Sequence, residues 1–205
     1  HPFYQIYWNE GKLNREIIKD YAEQYYQHVK AFPRYISATH SICEDIEKRR
    51  ILLENLQDEE NKDGDHPKLW KNFAKALGAN EVEIENTKLD WFTKDMIDNF
   101  FAQARKSYAE GLASLYTYER QIPEIAETKI QGLKKFYGVN SKDGLEFFEA
   151  HKSADVIHRA ECEKLLDSLS TEEQEKAQNA SLLTARYIWN FLSLSLIHIS
   201  ETTRL

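Results

Sequence analysis

Several features that define common protein classes are scarce in this chain. The two cysteines, Cys43 and Cys162, lack the spacing of a metal site or a redox motif, so we expect reduced thiols in a cytoplasmic protein. No apolar run approaches the roughly 20 residues of a membrane span, and no signal-peptide pattern opens the chain. The net charge of -7, without a basic stripe, argues against nucleic acid as a partner. These absences leave a cytoplasmic protein that binds neither nucleic acid nor membrane.

Glycine and proline are also rare, with seven and four residues among 205, whereas Leu, Ala, Glu and Lys are abundant. That balance favours helices over strands and turns. The length suffices for one substantial hydrophobic core. We therefore expect an all-α fold with a single helical domain over residues 1–192. Residues 193–205 lose the helical stripe and are predicted to be a non-native or disordered tail.

Capping residues and helix breakers predict most of the helix boundaries. Asn14 is a suitable N-cap for the first helix, and Phe32-Pro33 is expected to end it. Residues 79–92 are acidic and are predicted to form an irregular surface connection. One long helix is expected from Thr93 to Tyr116, and Ser141 is a suitable cap for a later one.

Histidines and carboxylates at helical spacing indicate a buried metal site. His151, Asp155 and His158 stand at i, i+4 and i+7, which places them on one helix face. The trio rises about 10 Å along the axis, which suits two ions better than one. Asp155-Val-Ile-His158 also resembles the carboxylate-x-x-histidine step of di-iron bundles. These spacings make a metal-dependent redox enzyme the leading hypothesis.

Three further side chains complete the candidate ligand set. Glu59 and His66 are separated by the length of two helical turns, and Glu119 follows Tyr-Thr-Tyr. His66 has the least support, because the following Pro67 disfavours helical geometry at position 66. Carboxylates and imidazoles together suit iron or manganese, and a redox pair suggests oxygen activation rather than hydrolysis.

The chain resembles the heme-oxygenase-like di-metal oxidases, a family related to thiaminase-like and pyrroloquinoline-quinone-synthesis C-like proteins. The resemblance covers nearly the whole chain to about residue 192. The strings that carry it are His1-Pro-Phe-Tyr4, Tyr21-Ala22, Tyr25-Tyr26, His28-Val-Lys-Ala-Phe-Pro33, Asp58-Glu-Glu-Asn61, Tyr116-Thr-Tyr-Glu119-Arg-Gln-Ile-Pro123, Lys129-Ile-Gln-Gly-Leu133 and Ala154-Asp155-Val-Ile-His158.

The resemblance implies a heme-oxygenase-like bundle of seven to eight helices without heme. It implies two metal ions, iron and/or manganese, with molecular oxygen as co-substrate. It also implies formation of para-aminobenzoate for folate synthesis from the enzyme's own residues. Tyr4 and Tyr21 are the ring candidates, Tyr118 lies beside a ligand, and Lys129 is the amine candidate. The implied metal ligands are Glu59, His66, Glu119, His151, Asp155 and His158.

From spacing alone, Lys129 would be expected on the solvated surface, as most lysines are. Dimers are the default expectation for oligomeric state, so we expect a homodimer, and an external reductant is a candidate partner.

Two rival functions remain open at this point. A thiaminase-like or quinone-cofactor enzyme on the same fold would work without metals, but no cysteine nucleophile lies near Ala113 and Ser114. A non-enzymatic protein that binds host death domains is the second rival, suggested by the family's naming. Failure of the six candidate ligands to bind metal would favour either rival.

Overall fold

The computed structural model describes residues 1–62 and 64–202, without the side chains of 153–157 and 197–202. These ranges contain helices and no strand, which confirms the all-α prediction. A π-helical segment, Phe3–Trp8, precedes nine α-helices in the described part of the chain, which is more than the seven to eight that were expected. They are α1 (Arg15–Ser41), α2 (Ile46–Glu59), α3 (His66–Ala76), α4 (Glu81–Asn86), α5 (Trp91–Lys106), α6 (Tyr108–Glu119), α7 (Ile122–Phe136), α8 (Lys142–Asp167) and α9 (Thr171–Thr202).

The first helix begins as predicted but runs further than expected. The Asn14 side chain accepts a hydrogen bond of 2.9 Å from the backbone N–H of Ile17. Pro33, however, lies inside α1 and does not end it. A proline removes one backbone hydrogen bond, but Phe32 and Tyr35 on either side are buried in the core. Burial of this face of α1 outweighs the local cost.

Two connections differ from the sequence prediction, and both depend on capping residues. Within residues 79–92, Asn80 and Glu83 form a reciprocal capping box that supports α4, so the segment is not wholly irregular. The helix expected from Thr93 to Tyr116 is divided at Ser107. Its extended backbone caps α6, and its hydroxyl accepts from the Glu110 N–H at 3.2 Å.

Packing places five helices around one interior site. Helices α2, α3 and α6 each pack against both α1 and α8. Residues on the inner faces of these helices are therefore directed into a shared interior. Helix α9 covers α5 and α6 and continues to Thr202, so the segment from 193 is helical as far as the structure describes it. A non-native origin of that segment stays a prediction.

The described helices were also compared with the dimensions of a lipid bilayer. None of them combines the length and the apolar composition needed to cross one.

Candidate metal centre and tyrosine–lysine cluster

Glu59, His66 and His151 meet in the interior and are named here the ligand cluster. One ligand atom from each lies within 4.8 Å of the other two, and all three residues are buried. The His66 Nδ1 atom is 2.8 Å from Glu59 Oε2, and the centroids of the two imidazole rings are 4.2 Å apart. A carboxylate and two imidazoles at this separation form a suitable donor set for a divalent transition metal.

The position of His66 corrects the sequence analysis. Glu59 ends α2 and His66 begins α3, so the connecting segment, rather than two turns of one helix, brings them together. Pro67 is compatible with this position because the first helical turn needs no N–H from it. Asp65 caps the helix by accepting from the Lys68 N–H at 2.8 Å. The ligand with the least support from sequence thus lies in the tightest group.

His151 is held in an orientation that suits metal binding. Its Nδ1 lies 2.7 Å from the carbonyl oxygen of Phe147, which can only accept, so Nδ1 carries the proton. The lone pair is then on Nε2, and such an outer hydrogen bond is the usual support of a metal-binding histidine. Burial, and secondly the neighbouring His66, hold the pKa of His151 well below its usual range. The ring is therefore neutral, as ligation requires.

Glu119 and His158 both form side-chain contacts at the same pair of helices, α2 and α8. Glu119 is 2 % exposed, and its carboxylate accepts from Asn55 Nδ2 at 2.7 Å and from the Cys162 thiol at 3.7 Å. His158 Nε2 is 3.1 Å from Asp58 Oδ2. Asn55 and Asp58 are one turn apart on α2, and His158 and Cys162 are one turn apart on α8. Glu119 and His158 therefore face the same side of this helix pair.

Asp155 is the sixth candidate ligand, and its side chain lies outside the described residues. Its backbone belongs to α8, between His151 and His158. Of the six predicted ligands, three form a cluster and two more lie buried around the same helices. The set of oxygen and imidazole donors fits iron or manganese.

A second buried group, named here the tyrosine–lysine cluster, consists of Tyr4, Tyr21 and Lys129. Lys129 is 4 % exposed, and its Nζ donates to the Tyr21 hydroxyl at 2.9 Å. The Tyr4 and Tyr21 hydroxyls are 3.5 Å apart. Lys129 is therefore not a solvated surface lysine, which corrects the expectation from spacing alone.

The surroundings of Lys129 are aromatic, and no described carboxylate forms an ion pair with it. Its Nζ lies 5.2–5.4 Å from the ring centroids of Tyr4, Tyr21, Tyr25, Trp70 and Phe148. Burial lowers the pKa of Lys129 to about 7 and raises the pKa of Tyr4 to about 12. A large fraction of the amine is therefore neutral and nucleophilic near neutral pH, while the phenol keeps its proton.

A small internal cavity joins the two groups. It is lined by Tyr25, Tyr118, Lys129 and His151, among others. Tyr118 precedes Glu119 in α6, and its hydroxyl accepts from the Tyr25 hydroxyl at 3.0 Å. The cavity is about 10 Å³, so it suits a molecule the size of water, which would contact the amine, two phenols and a residue of the ligand cluster at once.

Four residues around these groups were not among the predicted site residues. They are Tyr25, Asn55, Asp58 and Cys162. Asn55 precedes Glu59 by one helical turn and Cys162 follows His158 by one, so helical spacing from the predicted ligands would have found both. Cys43 and Cys162 are both buried, and neither forms a disulfide.

Comparison with known proteins places the site in a family. A model of iron-containing redox enzymes matches residues 19–190. The chain is 41% identical over 203 residues to the 4-aminobenzoate synthase of Chlamydia pneumoniae, covering 98% of this chain and 89% of that protein.

Two solved structures share the fold. A Shewanella denitrificans domain with a heme oxygenase-like fold has a TM-score of 0.84 at 14% identity, covering 98% of this chain and 86% of that one. A TenA homolog from Pseudomonas syringae has a TM-score of 0.82 at 18% identity, covering 96% and 85%. These matches confirm the predicted heme-oxygenase-like bundle. The chain belongs to the family of iron-containing redox enzymes.

Proposed function

We propose that this protein uses molecular oxygen to form 4-aminobenzoate (para-aminobenzoate), and that its own side chains are the substrate. Tyr4 or Tyr21 supplies the aromatic ring, and Lys129 supplies the amino nitrogen. Iron, manganese or one of each would be held by the ligand cluster together with Glu119, Asp155 and His158. The name of the Chlamydia pneumoniae relative supports the product, and the family supports iron.

The observation that carries the proposal is the placement of Lys129. A lysine buried among aromatic rings without a carboxylate partner destabilises the fold, because its charge is costly to bury. A structural role would be served better by methionine or leucine of similar size. The Nζ instead lies 2.9 Å from a phenol oxygen and about 5 Å from the ring of the second candidate. Amine and ring are thus already together before any reaction begins.

The protonation states suit the proposed roles. Lys129, with a pKa of about 7, has a free lone pair in a large fraction of molecules at neutral pH. Desolvation holds the pKa of Tyr21 well above its usual range, so its phenol remains protonated until it is oxidised. The surrounding rings exclude water that would compete with the amine.

The metal pair would supply the oxidising power of dioxygen when bound. The chain's own residues orient the ligands. Phe147 fixes the tautomer of His151, and Asn55 and Cys162 hold the Glu119 carboxylate. The buried Asn55 Oδ1 has no hydrogen-bond partner among the described residues, which favours a further group, such as a water molecule, at this site.

An aerobic assay tests the proposal. Protein loaded with ferrous iron, with and without manganese, is exposed to oxygen, and 4-aminobenzoate is quantified by mass spectrometry. We expect product from the parent chain and none from Lys129→Met. Lys134→Met is the matched control, because Lys134 is an exposed lysine on the same helix. Undiminished product from Lys129→Met would overturn the role of this lysine, and no product from the parent under any metal condition would overturn the function.

A further inference from the structure

Tyr25 lies between the metal-side tyrosine and the tyrosine–lysine cluster. It is 6 % exposed and lines the cavity that also contacts Tyr118, Lys129 and His151. Neither the proposed chemistry nor the ligand set uses it. Its contacts nevertheless differ from those of an ordinary packing tyrosine, because both its hydroxyl and its ring contact another tyrosine.

The hydroxyl of Tyr25 is directed towards the metal side. It donates to the Tyr118 hydroxyl at 3.0 Å, and Tyr118 is adjacent in sequence to the ligand candidate Glu119. A hydrogen bond between two phenols is a direct path for a proton when one of them is oxidised, because the donor's proton already lies on the line to the acceptor.

The ring of Tyr25 faces the other way. It is stacked on the Tyr21 ring with centroids 5.4 Å apart and planes inclined by 21°, which brings the two π-systems into contact. Lys129 Nζ lies over both rings, at 5.3 Å from the Tyr25 centroid and 5.2 Å from that of Tyr21. The path from Tyr118 to Tyr21 therefore contains one hydrogen bond and one ring stack.

We propose that Tyr25 is a redox relay that carries an oxidising equivalent from Tyr118 to Tyr21. This inference rests on the proposed function, in which bound metal would supply the oxidising power of oxygen and Tyr118 would give up one electron and one proton. Tyr25 then gives its electron and its phenolic proton to the Tyr118 radical across their hydrogen bond, which restores the Tyr118 phenol. The Tyr25 radical next takes an electron from Tyr21 through the stacked rings. The Lys129 amine, which is hydrogen-bonded to the Tyr21 hydroxyl, accepts the Tyr21 proton, and one proton reaches the Tyr25 oxygen through the cavity that Lys129 and Tyr25 both line.

Trp70 is another aromatic side chain that contacts both Tyr21 and Tyr25, but its contacts suit a relay less. Its ring centroid is 4.9 Å from that of Tyr25 and 6.2 Å from that of Tyr21. The indole N–H, however, donates to the backbone carbonyl of Ala22 at 2.7 Å, so its proton has no path to Tyr118. Of these two side chains, Tyr25 is the one that combines a proton path on one side with a ring stack on the other.

The test places a radical trap at position 25. An aminotyrosine, which loses an electron more easily than tyrosine, is incorporated in place of Tyr25 in the full chain. The protein is loaded with ferrous iron and manganese, exposed to oxygen and frozen for electron paramagnetic resonance. The matched control carries the same analogue in place of Tyr26, an equally buried neighbour whose hydroxyl donates to Glu85 instead.

We expect the aminotyrosyl radical signal from position 25 and its loss when the trap is moved to position 26. In parallel, Tyr25→Phe should keep the metal content and the thermal midpoint of the parent but lose oxidation of the Tyr4 and Tyr21 peptides. A missing radical at position 25, or unchanged peptide oxidation in Tyr25→Phe, overturns the relay. A trapped radical at position 25, together with a parent chain that makes no 4-aminobenzoate, supports the relay and rejects the proposed product, so the two failures are distinguishable.

Discussion

The two buried polar regions of this bundle differ in the partners that they give to their titratable side chains. In the ligand cluster and its surroundings, every described candidate ligand lies against another polar side chain or a backbone carbonyl, as Glu59 does with His66 at 2.8 Å. The second region, named here the aromatic region, is the tyrosine–lysine cluster with the aromatic side chains around it. There, Lys129 contacts one phenol and otherwise faces rings. His28 goes further, because neither ring nitrogen has a hydrogen-bond partner among the described residues.

The difference teaches what each region is built to hold. Carboxylates and imidazoles that converge keep negative charge and lone pairs in the interior, which becomes favourable when a cation binds. The aromatic region contains no opposite charge and therefore favours the neutral forms of lysine and histidine. Under the proposed function, one region holds metal and the other keeps the Lys129 amine uncharged.

Removing a ligand should have the largest effect. Glu59→Ala takes away the carboxylate of the ligand cluster, and metal content measured by elemental analysis should fall by one ion per chain or more. Product should disappear with it. Helical content by circular dichroism should remain, because α2 ends at this residue. Glu60→Ala, at the exposed neighbouring position, is the control, and full metal occupancy in Glu59→Ala would disprove its role as a ligand.

Replacing Lys129 should stabilise the protein while it stops the chemistry. The folded-state pKa is lowered from 10.5 to about 7, so the penalty for burying this lysine grows as pH falls from about 10.5 to about 7 and is complete below that. Lys129→Met removes the penalty, and its free energy of unfolding should exceed that of the parent by a few kcal/mol at pH 7, since each pKa unit corresponds to about 1.4 kcal/mol. Urea titrations at several pH values check this. A variant less stable than the parent at pH 7 would show that Lys129 stabilises the fold.

Loss of an outer hydrogen bond should have an intermediate effect. Asn55→Ala removes the 2.7 Å bond to the Glu119 carboxylate, and metal affinity should fall by about 10–100-fold, the usual range for such supports. Competition with a chelator measures it. Asn99→Ala is the control, because Asn99 is similarly buried but hydrogen-bonded to Thr184 instead. Equal affinities in the two variants would contradict a role for Asn55 in holding Glu119.

The smallest effect should appear only in mild acid. Burial lowers the pKa of His28 from 6.5 to about 3, so below pH 6.5 the unfolded state binds the proton and the folded state does not. Stability should therefore fall by up to about 1.4 kcal/mol per pH unit from this residue as pH drops from 6.5 towards 3. Urea titrations of His28→Phe between pH 7 and 5 should show a correspondingly shallower decline. Identical slopes in parent and variant would mean that His28 is already protonated in the folded state.

Much of the fold was predictable because capping residues act locally. Asn14 and Ser141 cap the helices that they were expected to begin. The predicted helix boundaries were wrong at Pro33 and at Ser107 for one reason. Tertiary burial decides whether a helix continues through a local breaker or ends at a weak cap. The hydrophobic periodicity of a single segment does not predict how deeply tertiary packing buries it.

The candidate site was predictable in part for the same reason. His151 and His158 share a helix face, so their spacing was informative. Glu59 and His66 meet across a connection between helices, and Lys129 becomes buried only when α7 packs on α8. Tyr25 was recognisable only as one of several tyrosines until its hydroxyl and ring contacts were known. Contacts between helices are not encoded in the spacing within any one of them.

Isotope labelling tests the central claim most directly, namely that the tyrosine–lysine cluster is the substrate. The protein is produced with carbon-labelled tyrosine and nitrogen-labelled lysine, loaded with metal and exposed to oxygen in unlabelled buffer. The account predicts 4-aminobenzoate that carries both labels, together with mass changes confined to the peptides of Lys129 and of one candidate tyrosine. Unlabelled product, or product with both peptides intact, would contradict it.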